Sequence, residues 1–150
     1  MLEIREAKRI DLGAILALYT HLSPTNVPIE TTRAEEIFDA FGAYRGSAIL
    51  VGELDGECVA SCAVVIIPNL TRLGRPYALI ENVVTHSDYR GCGHGTRILD
   101  AACARAWDAG CYKVMLMTGS TEASTLAFYQ RAGFQQTKTG FQKRHVVEKP

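Results

Sequence analysis

Apolar and polar positions along the chain change period several times, and the changes mark out its elements. Leu2 to Arg5 alternates apolar with charged residues, the two-residue period of a short, half-buried strand. From Asp11 the period lengthens. Leu12, Ile15, Leu16 and Tyr19 fall on one helical stripe, with Asp11 placed to cap it and Pro24 marking its end. Thr32-Arg33-Ala34-Glu35 has the form of a capping box ahead of Ile37, Phe38 and Phe41, which predicts a second helix closing near Gly42.

The middle of the chain turns to β-branched residues. Ala48 to Leu54 and Glu57 to Ile67 read as strands joined by Asp55-Gly56, a hairpin signal. Pro68 to Pro76 is a polar loop and Tyr77 to Thr85 a third central strand. A glycine cluster follows, Arg90-Gly91-Cys92-Gly93-His94-Gly95, and then a helix with Ile98, Leu99, Ala102, Cys103 and Ala106 on one face, ended by Gly110. Val114 to Met117 reads as a short buried strand and Glu122 to Arg131 as a helix stopped by Gly133. Phe134 onward is expected to supply one or two terminal strands. The predicted order is β-α-α-β-β-β-α-β-α-β. Tyr77 to Met117 forms a βαβ unit with parallel strands, whereas the Asp55-Gly56 hairpin is antiparallel. The expected fold class is α/β of the α+β kind: a mixed sheet with helices for both faces.

Composition narrows the class. The 150 residues carry 16 Lys plus Arg against 16 Asp plus Glu, a net charge of zero, so bulk charge gives no grip on nucleic acid. Apolar residues at 47% and charged ones at 21% are globular values, and one domain over 1–150 is expected. No apolar run reaches the roughly 18 residues of a membrane span, and the acidic start of the chain does not read as a signal peptide. A cytoplasmic location is therefore expected. The cysteines, at 58, 62, 92, 103 and 111, contain no Cys-x-x-Cys pair and no His at zinc spacing, so reduced thiols and no metal are expected.

The glycine cluster carries the chemistry. A glycine-rich loop that opens a helix aims backbone N–H groups and the positive end of the helix dipole at an anion. A Walker A loop needs Gly-Lys-Ser/Thr, but Gly95 is followed by Thr96-Arg97. A dinucleotide fingerprint needs a further glycine at 96 and an acid ending the next strand, and Thr96 and Met117-Thr118 supply neither. Arg-Gly-x-Gly-x-Gly between a central strand and a helix is a third pattern.

That pattern resembles the acyl-CoA loop of the GCN5-related N-acetyltransferases, Gln/Arg-x-x-Gly-x-Gly/Ala, at every defined position. The likeness extends to Ile80-Glu81-Asn82-Val83-Val84-Thr85 before the loop and to Phe128-Tyr129-Gln130-Arg131-Ala132-Gly133-Phe134, which looks like the family's Phe/Leu-Tyr-x-x-x-Gly-Phe. The resemblance implies the GNAT fold, with a mixed, mostly antiparallel sheet, and acetyl-CoA as cosubstrate. It implies that the amides from Gly91 through Cys92, Gly93, His94 and Gly95 to Thr96 hold the CoA pyrophosphate, with Arg90 leading the loop. Cys92 and His94 occupy its variable positions and are read as contributing backbone. N–H groups around Val83 and Val84 would serve the oxyanion and the pantetheine arm.

Acetyl transfer from a thioester to an amine needs a neutral amine, a stabilised oxyanion and a departing thiolate. A free alkylamine titrates near 10.4, so a base has to take its proton. Glu81 interrupts the apolar run Ala78 to Val84, where an acid needs a partner or a cleft. It is read either as the general base, the role of a glutamate at this place in many family members, or as the partner of an arginine from a neighbouring strand. Tyr129 is read either as the acid that protonates the thiolate, as in the family, or as one of three core aromatics with Phe128 and Phe134. A covalent route through Cys92 beside His94 has only that spacing in its favour.

The resemblance places acceptor specificity in His21 to Pro28 and in Pro68 to Arg75, where Arg72 and Arg75 suit a carboxylate or phosphate. Ile80 to Val84 and Gly110-Cys111-Tyr112-Lys113 look like stretches of glucosamine-6-phosphate N-acetyltransferases. Two departures stand against that: Asn82 replaces an acid, and Met117-Thr118-Gly119-Ser120 replaces an acidic segment. The expected activity is direct acetyl transfer to the primary amine of a small molecule. A glucosamine-6-phosphate acceptor and a non-catalytic acyl-CoA sensor are the alternatives. No nucleic-acid or membrane partner is expected; homodimers are common in the family.

Overall fold

The computed structural model describes residues 1–23 and 25–145. Five strands form one sheet in chain order: β1 (Glu3–Glu6), β2 (Ala48–Leu54), β3 (Glu57–Ile67), β4 (Tyr77–Thr85) and β5 (Val114–Leu116). The first four pair antiparallel, and β5 lies parallel to β4. Helices α1 (Leu12–Tyr19) and α2 (Thr31–Gly42) precede β2, α3 (His94–Asp108) crosses from β4 to β5, and α4 (Ala123–Arg131) follows β5. The turn between β2 and β3 has φ of 52° at Asp55 and 86° at Gly56, the left-handed pair that a two-residue hairpin requires.

Two apolar layers hold the helices to the sheet. On one face Leu50, Cys62, Val64 and Ile80 pack against Ile98, Leu99, Ala102 and Ala106 of α3. Ile98 and Leu99 are wholly buried, which stabilises the fold by about 1.5–3 kcal/mol each. On the other face Ile15 of α1 meets Ala7 and Val51, with Tyr19 and Phe38 at the margin. Among the described residues no helix is long and apolar enough to cross a membrane.

Four local expectations are corrected. The buried stripe of α1 is Leu12, Ile15 and Leu18, with Leu16 only half-buried, because the helix rolls to set Ile15 on the sheet. Asp11 precedes α1 but does not cap it. Its carboxylate accepts two hydrogen bonds from Arg5, at 2.7 and 2.8 Å, and one from the Lys8 N–H at 2.7 Å, and this claims its oxygens. The second helix begins two residues early, with Glu30 at its N-cap, so Thr32 lies inside the first turn and forms no capping box. Residues 134–145 form no strand: Gln135 to Gly140 has no apolar position to bury, and Phe141 is exposed. The remaining part of that expectation, residues 146–150, and the helix stop at Pro24 lie outside the described residues.

Candidate active site

The central feature is where β4 parts from β5. Their pairing runs Ala78 to Val114, Leu79 to Met115 and Ile80 to Leu116, and β5 ends there while β4 continues to Thr85. The outer edge of β4 from Glu81 onward is thus left open, and Glu81 stands at the mouth of the split. On the inner side the register to β3 slips: Glu81 faces Ala63 and Val84 faces Ser61, so Asn82 and Val83 together oppose Cys62. This is a β-bulge, and Asn82 takes a φ of 53° to make it. Asparagine tolerates that left-handed conformation better than most residues.

Tyr19 buttresses the bulge. Its hydroxyl faces Ser61 and Asn82. Burial pushes its pKa up, and those two neighbours offset part of the rise. Nothing in the sequence singles it out, since a tyrosine on an apolar helical stripe reads as core.

Tyr129 reaches the same place from α4. Its ring packs beside Phe128, with centroids 4.9 Å apart, and edge-on to Phe134 at 6.4 Å. Burial raises the phenol's pKa, and the carboxylate of Glu81 adds to the rise. The two residues picked out in sequence, 48 positions apart, therefore act on each other electrostatically in the fold. Among the described residues Glu81 has no arginine partner, so the purely structural pairing is not realised there.

The glycine loop closes the C-terminal end of β4. Gly93 is the N-cap of α3 at φ 81°, with open space where a Cβ would sit, so backbone conformation alone calls for glycine. Gly95 is required for the opposite reason. A Cβ there would lie 3.1 Å from the Phe128 ring and 3.3 Å from Thr85 Oγ1. The first backbone hydrogen bond of α3 from the loop runs from the Arg97 N–H to Gly93 O at 3.1 Å, which leaves the preceding N–H groups available to an anion. His94 Nδ1 is buried without a partner among the described residues. These features fit a phosphate-bearing cosubstrate.

Arg90 turns back over the loop. Its Nε donates to Thr85 O at 3.2 Å and one terminal nitrogen donates to His21 O at 3.1 Å, tying the end of β4 to the segment after α1. The His21 and His86 rings meet at a 46° tilt with centroids 4.1 Å apart. Four of the five thiols are buried or half-buried, and Cys92 in the glycine loop is exposed. Burial pushes Cys58 up to about 11 and Cys62 to about 12, and it also raises Cys103 and Cys111. Cys92 Sγ is directed to Arg90 O, at 3.7 Å.

Residues 15–134 match the model of the acetyltransferase (GNAT) family. The chain belongs to the GNAT acetyltransferases. Membership makes it an acetyltransferase, and acetyl-CoA is the cosubstrate of the family. It is 33% identical over 136 residues to a glucosamine 6-phosphate N-acetyltransferase of Trypanosoma brucei brucei, covering 89% of each chain. It is 30% identical to the thialysine N-epsilon-acetyltransferase of Bos taurus, over 88% of this chain and 83% of that one. A solved structure from Agrobacterium tumefaciens str. C58, described as an acetyltransferase, superposes with a TM-score of 0.90 at 44% identity, covering 95% of this GNAT chain and 99% of the other.

Proposed function

We propose that this GNAT chain transfers the acetyl group of acetyl-CoA directly to the primary amine of a small molecule. The observation that carries the reading is the split between β4 and β5, with Glu81 at its mouth and the open strand edge running from it to the glycine loop. In this reading the amides from Gly91 to Thr96 hold the pyrophosphate, and the pantetheine arm lies along the free edge of β4. Glu81 takes the proton from the attacking amine, directly or through water, and N–H groups around Val83 and Val84 meet the oxyanion. As the carbon–sulfur bond breaks, Tyr129 gives its proton to the thiolate. A phenol whose pKa is raised stays protonated over the working range, as an acid must.

The names of the two relatives support a small acceptor. Glucosamine 6-phosphate and thialysine each join a primary amine to an anionic group, and both are small. Glucosamine 6-phosphate is the second reading of the acceptor.

The test is CoA release from acetyl-CoA across a panel of amines, amino acids and amino sugars. Acceptor-dependent release is expected from the wild type, with kcat reduced about 100-fold or more in Glu81→Gln and Tyr129→Phe. Wild-type rates in both variants would remove the assignment of base and acid. Binding of acetyl-CoA with no release on any acceptor would favour the sensor.

A further inference from the structure

β4 has two ends, and the site just described uses one of them. At the other lies a shallow, open depression of about 400 Å³ lined by Arg72, Leu73, Arg75 and Tyr112. The guanidinium of Arg72 sits over the Tyr112 ring, 6.0 Å from its centroid. Lys113 Nζ lies between two rings, 5.2 Å from Tyr77 and 5.4 Å from Tyr112. Three cations and two phenols thus gather at the start of β4 and β5. None of the three cations pairs with a carboxylate among the described residues, whereas Arg5, Arg9, Arg33 and Arg105 all do.

The cluster is held in place. The Asn69 side-chain amide donates to Thr71 O at 3.1 Å, Thr71 Oγ1 at 3.0 Å and Arg75 O at 3.2 Å, which clasps the loop on itself. Backbone bonds from Tyr112 N to Pro76 O and from Ala78 N to Lys113 O, each 3.0 Å, join the loop to the segment entering β5. Arg72 and Leu73 take φ values of 55° and 59°, a conformation that non-glycine residues adopt at a cost. Leu73 is almost fully exposed, so burial of its side chain does not explain the strain.

Position relative to Glu81 assigns the ligand. Ala78 and Ile80 enter the core beneath α3, so by strand alternation Tyr77 and Glu81 project from the opposite face, about 13 Å apart along the strand. Lys113 over Tyr77 shares that face. Glu81 therefore lies between the glycine loop at one end of β4 and the cationic cluster at the other. The geometry points to the Arg72, Arg75 and Lys113 cluster as the site that receives the anionic group, phosphate or carboxylate, of the acceptor whose amine is directed to Glu81. This rests on the proposed amine acetyltransfer and adds the charge of the acceptor and the residues that read it. Two arginines suit the paired oxygens of either group.

Two matched acceptor pairs test it: glucosamine 6-phosphate with glucosamine, and lysine with cadaverine. In at least one pair the wild type is expected to show a kcat/KM at least tenfold higher for the anionic member. That ratio should fall about tenfold in Arg72→Gln and further in Arg72→Gln/Arg75→Gln, as loss of a charge-assisted contact implies. No preference in the wild type, or a ratio unchanged in both variants, overturns the site while leaving the acetyltransfer reading intact. If no amine in the panel is turned over, that reading fails instead. The site is then judged by titrating inorganic phosphate into the 15N-labelled protein. Saturable amide shifts at 72–75, Tyr112 and Lys113 that vanish in the double variant support it, and their absence overturns it.

Discussion

Gly95 sits in the first turn of α3, and its replacement by alanine sets two effects of similar size against each other. Alanine in a helix is favoured over glycine by about 1 kcal/mol. Against this, the new methyl would lie 3.1 and 3.2 Å from two atoms of the Phe128 ring and 3.3 Å from Thr85 Oγ1, closer than such carbons normally approach. Phe128 cannot simply swing away, because Tyr129 packs at 4.9 Å and the pair belongs to the core beneath α3. Overpacking of this degree costs about 1–2 kcal/mol. The single substitution should therefore leave stability nearly unchanged, or lower it by about 1 kcal/mol, while moving Tyr129 and lowering kcat. Phe128→Leu removes the obstructing ring. In that background Gly95→Ala should stabilise by about 1 kcal/mol, a coupling of about 1–2 kcal/mol between the two sites. Urea unfolding of the four proteins measures it from the midpoints at constant slope. A coupling below about 0.3 kcal/mol would refute the argument that contact with Phe128 is what excludes a side chain at 95.

Three other outcomes follow from the same geometry. Asn82→Val forces a β-branched residue into a φ of 53° and should cost about 1–3 kcal/mol in urea unfolding, whereas Asn82→Gly should cost less. Arg90→Gln cuts the tie from Thr85 O to His21 O, and KM should rise about fivefold for both acetyl-CoA and acceptor in steady-state kinetics; a rise confined to acetyl-CoA would show that the tie to His21 carries no weight. The Arg5 guanidinium holds Asp11 at about 2, below its ordinary 3.8. The stability from that depressed pKa is complete above pH about 4 and is lost as pH falls through 2. Asp11→Asn should thus cost about 1–2 kcal/mol at pH 7 and flatten the acid limb of a stability–pH curve, the figure reduced because Arg5 is partly open to solvent.

What the sequence alone determined is what depends on neighbours along the chain. Asp55-Gly56 specifies a left-handed pair of residues, and so a hairpin, whatever surrounds it. The alternation of Tyr77 to Thr85 and the stripe of α3 follow from which positions can be buried, and Gly93 marks a backbone turn that a side chain disfavours. The bounds of β2, β3 and β4 were legible for this reason.

Only the tertiary structure decided which partners meet. Asp11 could cap a helix or bind an arginine, and Arg5 on β1 claims it. Tyr19 is one more apolar stripe position until β3 and β4 bring Ser61 and Asn82 beneath its hydroxyl. The bulge at Asn82 is a mismatch between two strands, a property of their register that neither strand carries alone. Gly95 needs to be small because α4 returns Phe128 to it beside Thr85 of β4, and Arg72 and Tyr112 line one depression only because β5 is laid parallel to β4. Local conformation is set by a few adjacent residues, but the contacts that make a site are set by how a sheet is ordered and where two of its strands part.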